Sequence, residues 1–143
     1  TLEVHHRGKP VVRLNELEFI NGQIWANLWM SQYVVSVNPS SGTVTAIVDC
    51  AALITDAKTT HPDIDYLNGI AWDEANQHLY LTGKLWPWIY QVALDAKPCT
   101  EKTCDLLPVD FTRAAGNLRG VDRTREIKGP PSHRGDRRWL LSK

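Results

Sequence analysis

Short apolar runs broken by turn residues set the pattern of this chain. Leu14 to Trp29, L-N-E-L-E-F-I-N-G-Q-I-W-A-N-L-W, places two such runs around Asn21-Gly22, a dipeptide whose residues both tolerate positive φ and so favour a tight hairpin. Past the turn, Ile24, Ala26 and Leu28 alternate with Trp25, Asn27 and Trp29, the period of a strand. Upstream, Leu2 to His6 and Val11 to Leu14 read as strand pieces around Gly8-Lys9-Pro10, and Leu17 to Ile20 is a separate short run. Tyr33 to Val37 and Thr43 to Val48 are further strands, joined by Asn38-Pro-Ser-Ser-Gly42. Ala51 to Ile54 suits a helical turn, and Thr55 to Pro62 a polar loop.

The outline then returns. Leu67 to Lys84, L-N-G-I-A-W-D-E-A-N-Q-H-L-Y-L-T-G-K, repeats it with strands at Leu67 to Trp72, Gln77 to Thr82 and Trp88 to Leu94. The spacing between copies is 53 residues at Leu14/Leu67 and 55 at Trp29/Lys84, because the second turn is longer by two. A repeat built from a meander of short strands suits a β-propeller blade better than a sandwich. The expectation is an all-β fold, with residues 1–95 forming about two four-stranded blades and residues 96–143 an irregular basic tail. Two blades fall short of the four to eight that close a ring, so the chain is expected to be part of a longer protein.

Composition adds little to this picture and charge adds one feature. The 143 residues are 43% apolar and 22% charged, as in globular proteins generally. The net charge of zero hides a split, with +6 over residues 111–143 and −6 over residues 1–110. No aromatic or Gly-rich pattern accompanies the basic residues, so nucleic acid is not an expected partner. No apolar run is long enough to span a membrane. Of the three cysteines, Cys50 reads as a buried thiol, while Cys99 and Cys104 are spaced to close a small loop. Paired zinc-ligand spacings are absent.

L-N-E-L-E, W-A-N-L-W, L-N-G-I-A-W-D and T-G-K-L-W-P together resemble the plant and bacterial glutaminyl-peptide cyclotransferases, over roughly residues 1–95. The resemblance implies a five-bladed β-propeller, of which this is the C-terminal part. It also implies closure of N-terminal Gln to pyroglutamate with release of ammonia, and no catalytic metal or other cofactor. Its expected substrates are peptides or proteins beginning with Gln, and the complete protein is expected to be a monomer of the secretory pathway or extracellular space. Motif by motif, the family's active-site asparagine falls on Asn15, its pocket tryptophan on Trp29 and its active-site lysine on Lys84. The family's general acid/base glutamate belongs to an F-G-E-G motif that this sequence does not contain, and Glu16 and Glu18 do not replace it by position.

The chemistry of these residue types fits those roles. The α-amine of a peptide is partly neutral near pH 7, and the amide carbon it attacks lies in the same residue, so holding Gln curled supplies the proximity. What remains is an oxyanion donor, a proton path and a binding wall. Lys84 offers a cation, Asn15 a donor and an acceptor, and Trp29 a flat apolar face. Each also has an ordinary structural reading: Trp29 as packing, Lys84 as a solvated turn residue, Asn15 as a turn or cap group. Glu16 and Glu18 flank Leu17 and are expected to share one strand face. Trp86, Pro87 and Trp88 read as blade packing.

Two other functions compete. L-N-G-I-A-W-D also resembles a stretch of calcium-dependent lactonase propellers in which the asparagine, here Asn68, binds metal; His61, Asp63 and Asp65 are the nearby groups able to hold a cation. A non-catalytic propeller piece that binds a partner through its loops is the other alternative.

Overall fold

The computed structural model describes residues 1–93, 106–108 and 110–113. Strands β1 (His5–His6) and β2 (Lys9–Pro10) form a small N-terminal hairpin. Strands β3 (Leu14–Ile20), β4 (Gln23–Leu28), β5 (Tyr33–Val37) and β6 (Val44–Asp49) follow as an antiparallel meander. Helix α1 (Ala51–Thr60) leads to β7 (Leu67–Asp73), β8 (His78–Gly83) and β9 (Tyr90–Ala93), a second antiparallel meander. Finally β10 (Leu106–Pro108) joins the outer edge of the first sheet in parallel with β6, and β11 (Asp110–Arg113) joins the second antiparallel to β9. The sheets therefore read β10-β6-β5-β4-β3 and β11-β9-β8-β7, and the described residues are mostly β with one short helix.

The hairpin expected at Asn21-Gly22 is there, with φ of 48° and 80°, and Ile20 pairs with Gln23 across it. Three features differ from the hydropathy reading. First, Leu17 to Ile20 is not a separate run: β3 starts at Leu14 and is interrupted by a bulge, with Asn15 pairing with Asn27 but Leu17 with Ala26, while Val11 to Arg13 lie in no strand. Glu16, at φ 50°, is the extra residue. A bulge breaks the alternation of side chains, so Glu16 and Glu18 do not simply share a face. Strand β7 carries its own irregularity between Leu67 and Ile70, at the equivalent place in the second copy.

Second, the helix runs through Thr60 rather than ending near Ile54. Only Leu53 and Ala57, four residues apart, are buried on it, a stripe too thin to show in a sequence rich in Thr, Asp and Lys. Asp49 Oδ1 accepts the Ala51 N–H at 3.0 Å at its start, and tertiary contacts hold the rest. Third, Leu106–Pro108 and Asp110–Arg113 are strands, where no strand was expected. Cys99 and Cys104, like most of 96–143, lie outside the described residues.

The main core fills the space between the two sheets and the helix. Trp25, Val34 and Val48 of the first sheet meet Ile70, Leu79, Leu81 and Tyr90 of the second, with Leu53 and Ala57 beneath. A smaller cluster of Ala26, Val35, Val37 and Val44 packs on the other face of the first sheet, partly covered by Val4 and Val11. Asp56 fastens the outer edge: it accepts from the Tyr90 hydroxyl at 2.7 Å and from Arg113 through two contacts of 2.8 Å. The Arg113 guanidinium holds the Asp56 carboxyl below the usual range, while burial pushes the Tyr90 phenol up, so donor and acceptor keep their states at neutral pH. Arg113 also lies 4.6 Å from the Trp88 ring centre.

Cys50 is fully buried, as expected. Burial, with Asp49 beside it, pushes its thiol up to about 12. Since the thiolate is the reactive form, Cys50 is expected to resist alkylation in the native protein at mildly alkaline pH and to label only after unfolding. Peptide-level mass mapping of alkylated protein checks this, and equal labelling in both states would contradict it.

Candidate active site

The site is built at one corner that the two copies share. At the end of β4, Leu28 to Ser31 form a turn closed by Ser31 N–H donating to Leu28 O at 3.0 Å. At the end of β8, Gly83 to Trp86 form its counterpart, closed by Trp86 N–H donating to Gly83 O at 3.3 Å. The third residues, Met30 and Leu85, both have φ of 60°, the sign a type II turn requires at that position. Both turns are tied to the neighbouring inner strand alike: Trp29 N–H donates to Arg13 O at 2.9 Å, and Lys84 N–H to Tyr66 O at 3.1 Å. Trp29 and Lys84 are thus structurally equivalent, as the 55-residue offset implies.

Local sequence explains the second corner in detail. Trp86 folds back, largely buried, and its indole donates to Asp65 O at 2.8 Å. A Cβ on Gly83 would run into that ring, so the glycine of T-G-K-L-W is what lets Trp86 lie over its own turn. With Trp86 tucked in, Lys84 is left exposed at the apex.

Tyr66 joins the two corners. The Lys84 ammonium donates to the Tyr66 hydroxyl at 2.7 Å and sits 4.9 Å from its ring centre. The Trp29 ring meets the Tyr66 ring edge-on, with centroids 5.9 Å apart at 86°. The hydrogen bond to Tyr66 raises the Lys84 ammonium above the ordinary lysine range, and hydrogen bonds from Lys84, then Trp29, lower the Tyr66 phenol. Both effects favour a charged Lys84 that donates to Tyr66 at neutral pH.

A second, polar layer lies along the inner strands. Asn15 Nδ2 donates to Asn68 Oδ1, joining the equivalent asparagines of the two copies. Asn27, cross-strand from Asn15 and fully buried, accepts the Gly69 N–H at 3.2 Å. Its Nδ2 has no hydrogen-bond partner among the described residues. A buried donor in that state costs about 1–3 kcal/mol, so the layer is more polar than packing requires.

Of the residues singled out from sequence, Trp29 and Lys84 converge through Tyr66, and Asn15 is engaged with Asn68. Tyr66 and Asn27 were not anticipated. Tyr66 occupies the place of Arg13 in the first copy, and no residue-type similarity marks it; Asn27 sat in view within W-A-N-L-W as an inward position of an alternating strand. Among the described residues no three His, Cys, Asp or Glu side chains gather to hold a metal, His61, Asp63 and Asp65 included. No helix among them is long and apolar enough to cross a membrane. A cavity of about 700 Å³ opens between the sheets at the opposite end, beside Asn21 and Gln77 and over Trp25, Trp72 and Phe111. It lies away from the corner.

Comparison with known proteins agrees with the motifs. The sequence model of the family described as Glutamine cyclotransferase matches residues 1–94. A glutaminyl-peptide cyclotransferase of Arabidopsis thaliana is 44% identical over 92 residues, which is 64% of this chain and 29% of that protein. The crystal structure of Myxococcus xanthus glutaminyl cyclase matches with a TM-score of 0.61 and 42% identity, over 66% of this chain and 41% of that one. The chain thus spans under a third of the plant relative's length and under half of the bacterial one.

Proposed function

Because the chain belongs to the glutamine cyclotransferase family, we propose that its paired corners form the binding and oxyanion side of a site that closes N-terminal Gln to pyroglutamate. The observation that carries this reading is the meeting of Trp29 and Lys84, from equivalent turns, on Tyr66. The substrates would be peptides or proteins with N-terminal Gln, in keeping with the glutaminyl-peptide cyclotransferase and glutaminyl cyclase that the chain resembles. The two sheets would be neighbouring blades of a five-bladed ring in the complete protein.

The substrate's neutral α-amine attacks its own side-chain amide carbon; the new C–N bond forms as the C=O π pair moves onto oxygen. Lys84 donates to that oxyanion. Trp29 lines the substrate's methylenes and the product ring. Asn15, with one Nδ2 hydrogen committed to Asn68, offers its Oδ1 to the substrate's amide hydrogens. The oxyanion pair then returns to re-form C=O as the C–NH₂ bond breaks; the attacking nitrogen gives up its extra proton, and the leaving nitrogen takes one to depart as ammonia. The group that carries that proton is not assigned to this chain, which lacks the F-G-E-G motif.

The complete protein is expected to release ammonia from a Gln-initiated dipeptide at the same rate with and without a strong chelator. Absence of ammonia would overturn the activity; loss of rate on chelation would overturn the metal-free mechanism.

A further inference from the structure

We propose that Tyr66 is a positioning residue of this site: its hydroxyl anchors the Lys84 ammonium and its ring holds the Trp29 indole, so one side chain sets both cation and wall. This rests on the cyclisation reading above. A lysine reaches out on a flexible four-carbon stem, and an oxyanion donor contributes its full effect only when preorganised. Lys84 is exposed at the apex of its turn, so packing does not immobilise it. The 2.7 Å contact to the Tyr66 hydroxyl does.

Tyr66 is itself secured from both sides. Its carbonyl accepts the Lys84 N–H and its own N–H donates to Asp65 Oδ1 at 2.8 Å. Its ring is clamped between the Trp29 edge at 5.9 Å and the ammonium at 4.9 Å. The blade does not demand a tyrosine there, because the equivalent position of the first copy is Arg13, which makes the same backbone contact. What is specific to Tyr66 is its side chain, and that side chain touches only the two residues assigned to the chemistry among the contacts described.

The test compares Tyr66→Phe and Tyr66→Leu in the complete protein with a Gln-initiated dipeptide. Tyr66→Phe keeps the ring and is expected to lower kcat about 10- to 100-fold, the range for a hydrogen bond to a charged group, with KM unchanged. Its alkaline limb should move to lower pH, because the phenol raises the Lys84 pKa. Tyr66→Leu should lose the same kcat and also raise KM, as Trp29 loses its edge partner. Nitrogen-detected NMR titration of Lys84 should show the same downward shift in Tyr66→Phe. Wild-type kcat with an unmoved limb in Tyr66→Phe would overturn the proposal. If the wild type forms no pyroglutamate, the cyclisation reading falls alone; the Lys84 titration still decides, and an unchanged value in Tyr66→Phe overturns the anchoring role.

Discussion

Replacing Lys84 with alanine should lower kcat for pyroglutamate formation by about 10²–10³, the usual effect of removing one oxyanion donor. The fold should be untouched. Lys84 is exposed, and the hydrogen bonds that shape its turn are backbone ones, to Tyr66 O and from Asp65 N. Because an oxyanion exists only after attack, the loss should fall equally on kcat and kcat/KM. A rise in KM alone would mean that Lys84 merely binds substrate. The Tyr66 phenol gives an internal check: Lys84 lowers its pKa, so its ultraviolet titration should move upward in Lys84→Ala. Arginine in its place keeps the charge but presents a planar fork instead of a compact ammonium, and only partial recovery is expected. Wild-type kcat in Lys84→Ala would remove the oxyanion assignment.

Tyr90→Ala should be the most damaging single change to stability, at about 3–5 kcal/mol. That is a large share of the roughly 5–15 kcal/mol that holds a typical domain. Tyr90 is fully buried. Its ring meets Trp86 edge-on at 5.8 Å and Phe111 at 5.3 Å, and its hydroxyl reaches Asp56 on the helix. One truncation therefore leaves a hole where β9, β11, α1 and the Trp86 corner come together. Tyr90→Phe keeps the ring and leaves Asp56 its two contacts with Arg113, so only the hydroxyl's bond to the carboxylate, about 1.5–3 kcal/mol, should go. Urea unfolding followed by tryptophan fluorescence separates the two; equal midpoints for Tyr90→Ala and wild type would show that the described packing does not hold the second sheet.

The parts legible in the sequence were those written in local chemistry. Asn21-Gly22 specifies its hairpin, alternation specifies the strands of both copies, and the change of offset from 53 to 55 places Trp29 and Lys84 at matching corners. The parts that were not legible depend on neighbours. The bulge at Glu16 shows only as polar residues out of step, so Glu16 and Glu18 are misplaced when strict alternation is assumed. Helix α1 is stabilised by Leu53 and Ala57 against the sheets and by Asp56 bonding to Tyr90 and Arg113, none of which a hydropathy pattern contains. Leu106–Pro108 and Asp110–Arg113 are strands because edges of β6 and β9 are there to receive them. Tyr66 is the plainest case, since its importance comes from two residues that reach it from different sheets.

Met30 and Leu85 hold a bulky side chain at positive φ, a conformation that costs non-glycine residues on the order of 1–2 kcal/mol. Both corners tolerate this and close with the same backbone bonds, whatever stands at the apex. An indole occupies one apex and an ammonium the other. Each turn is thus an interchangeable socket, and exchanging Trp29 and Lys84 should rewrite the chemistry at the mouth while leaving both hairpins intact.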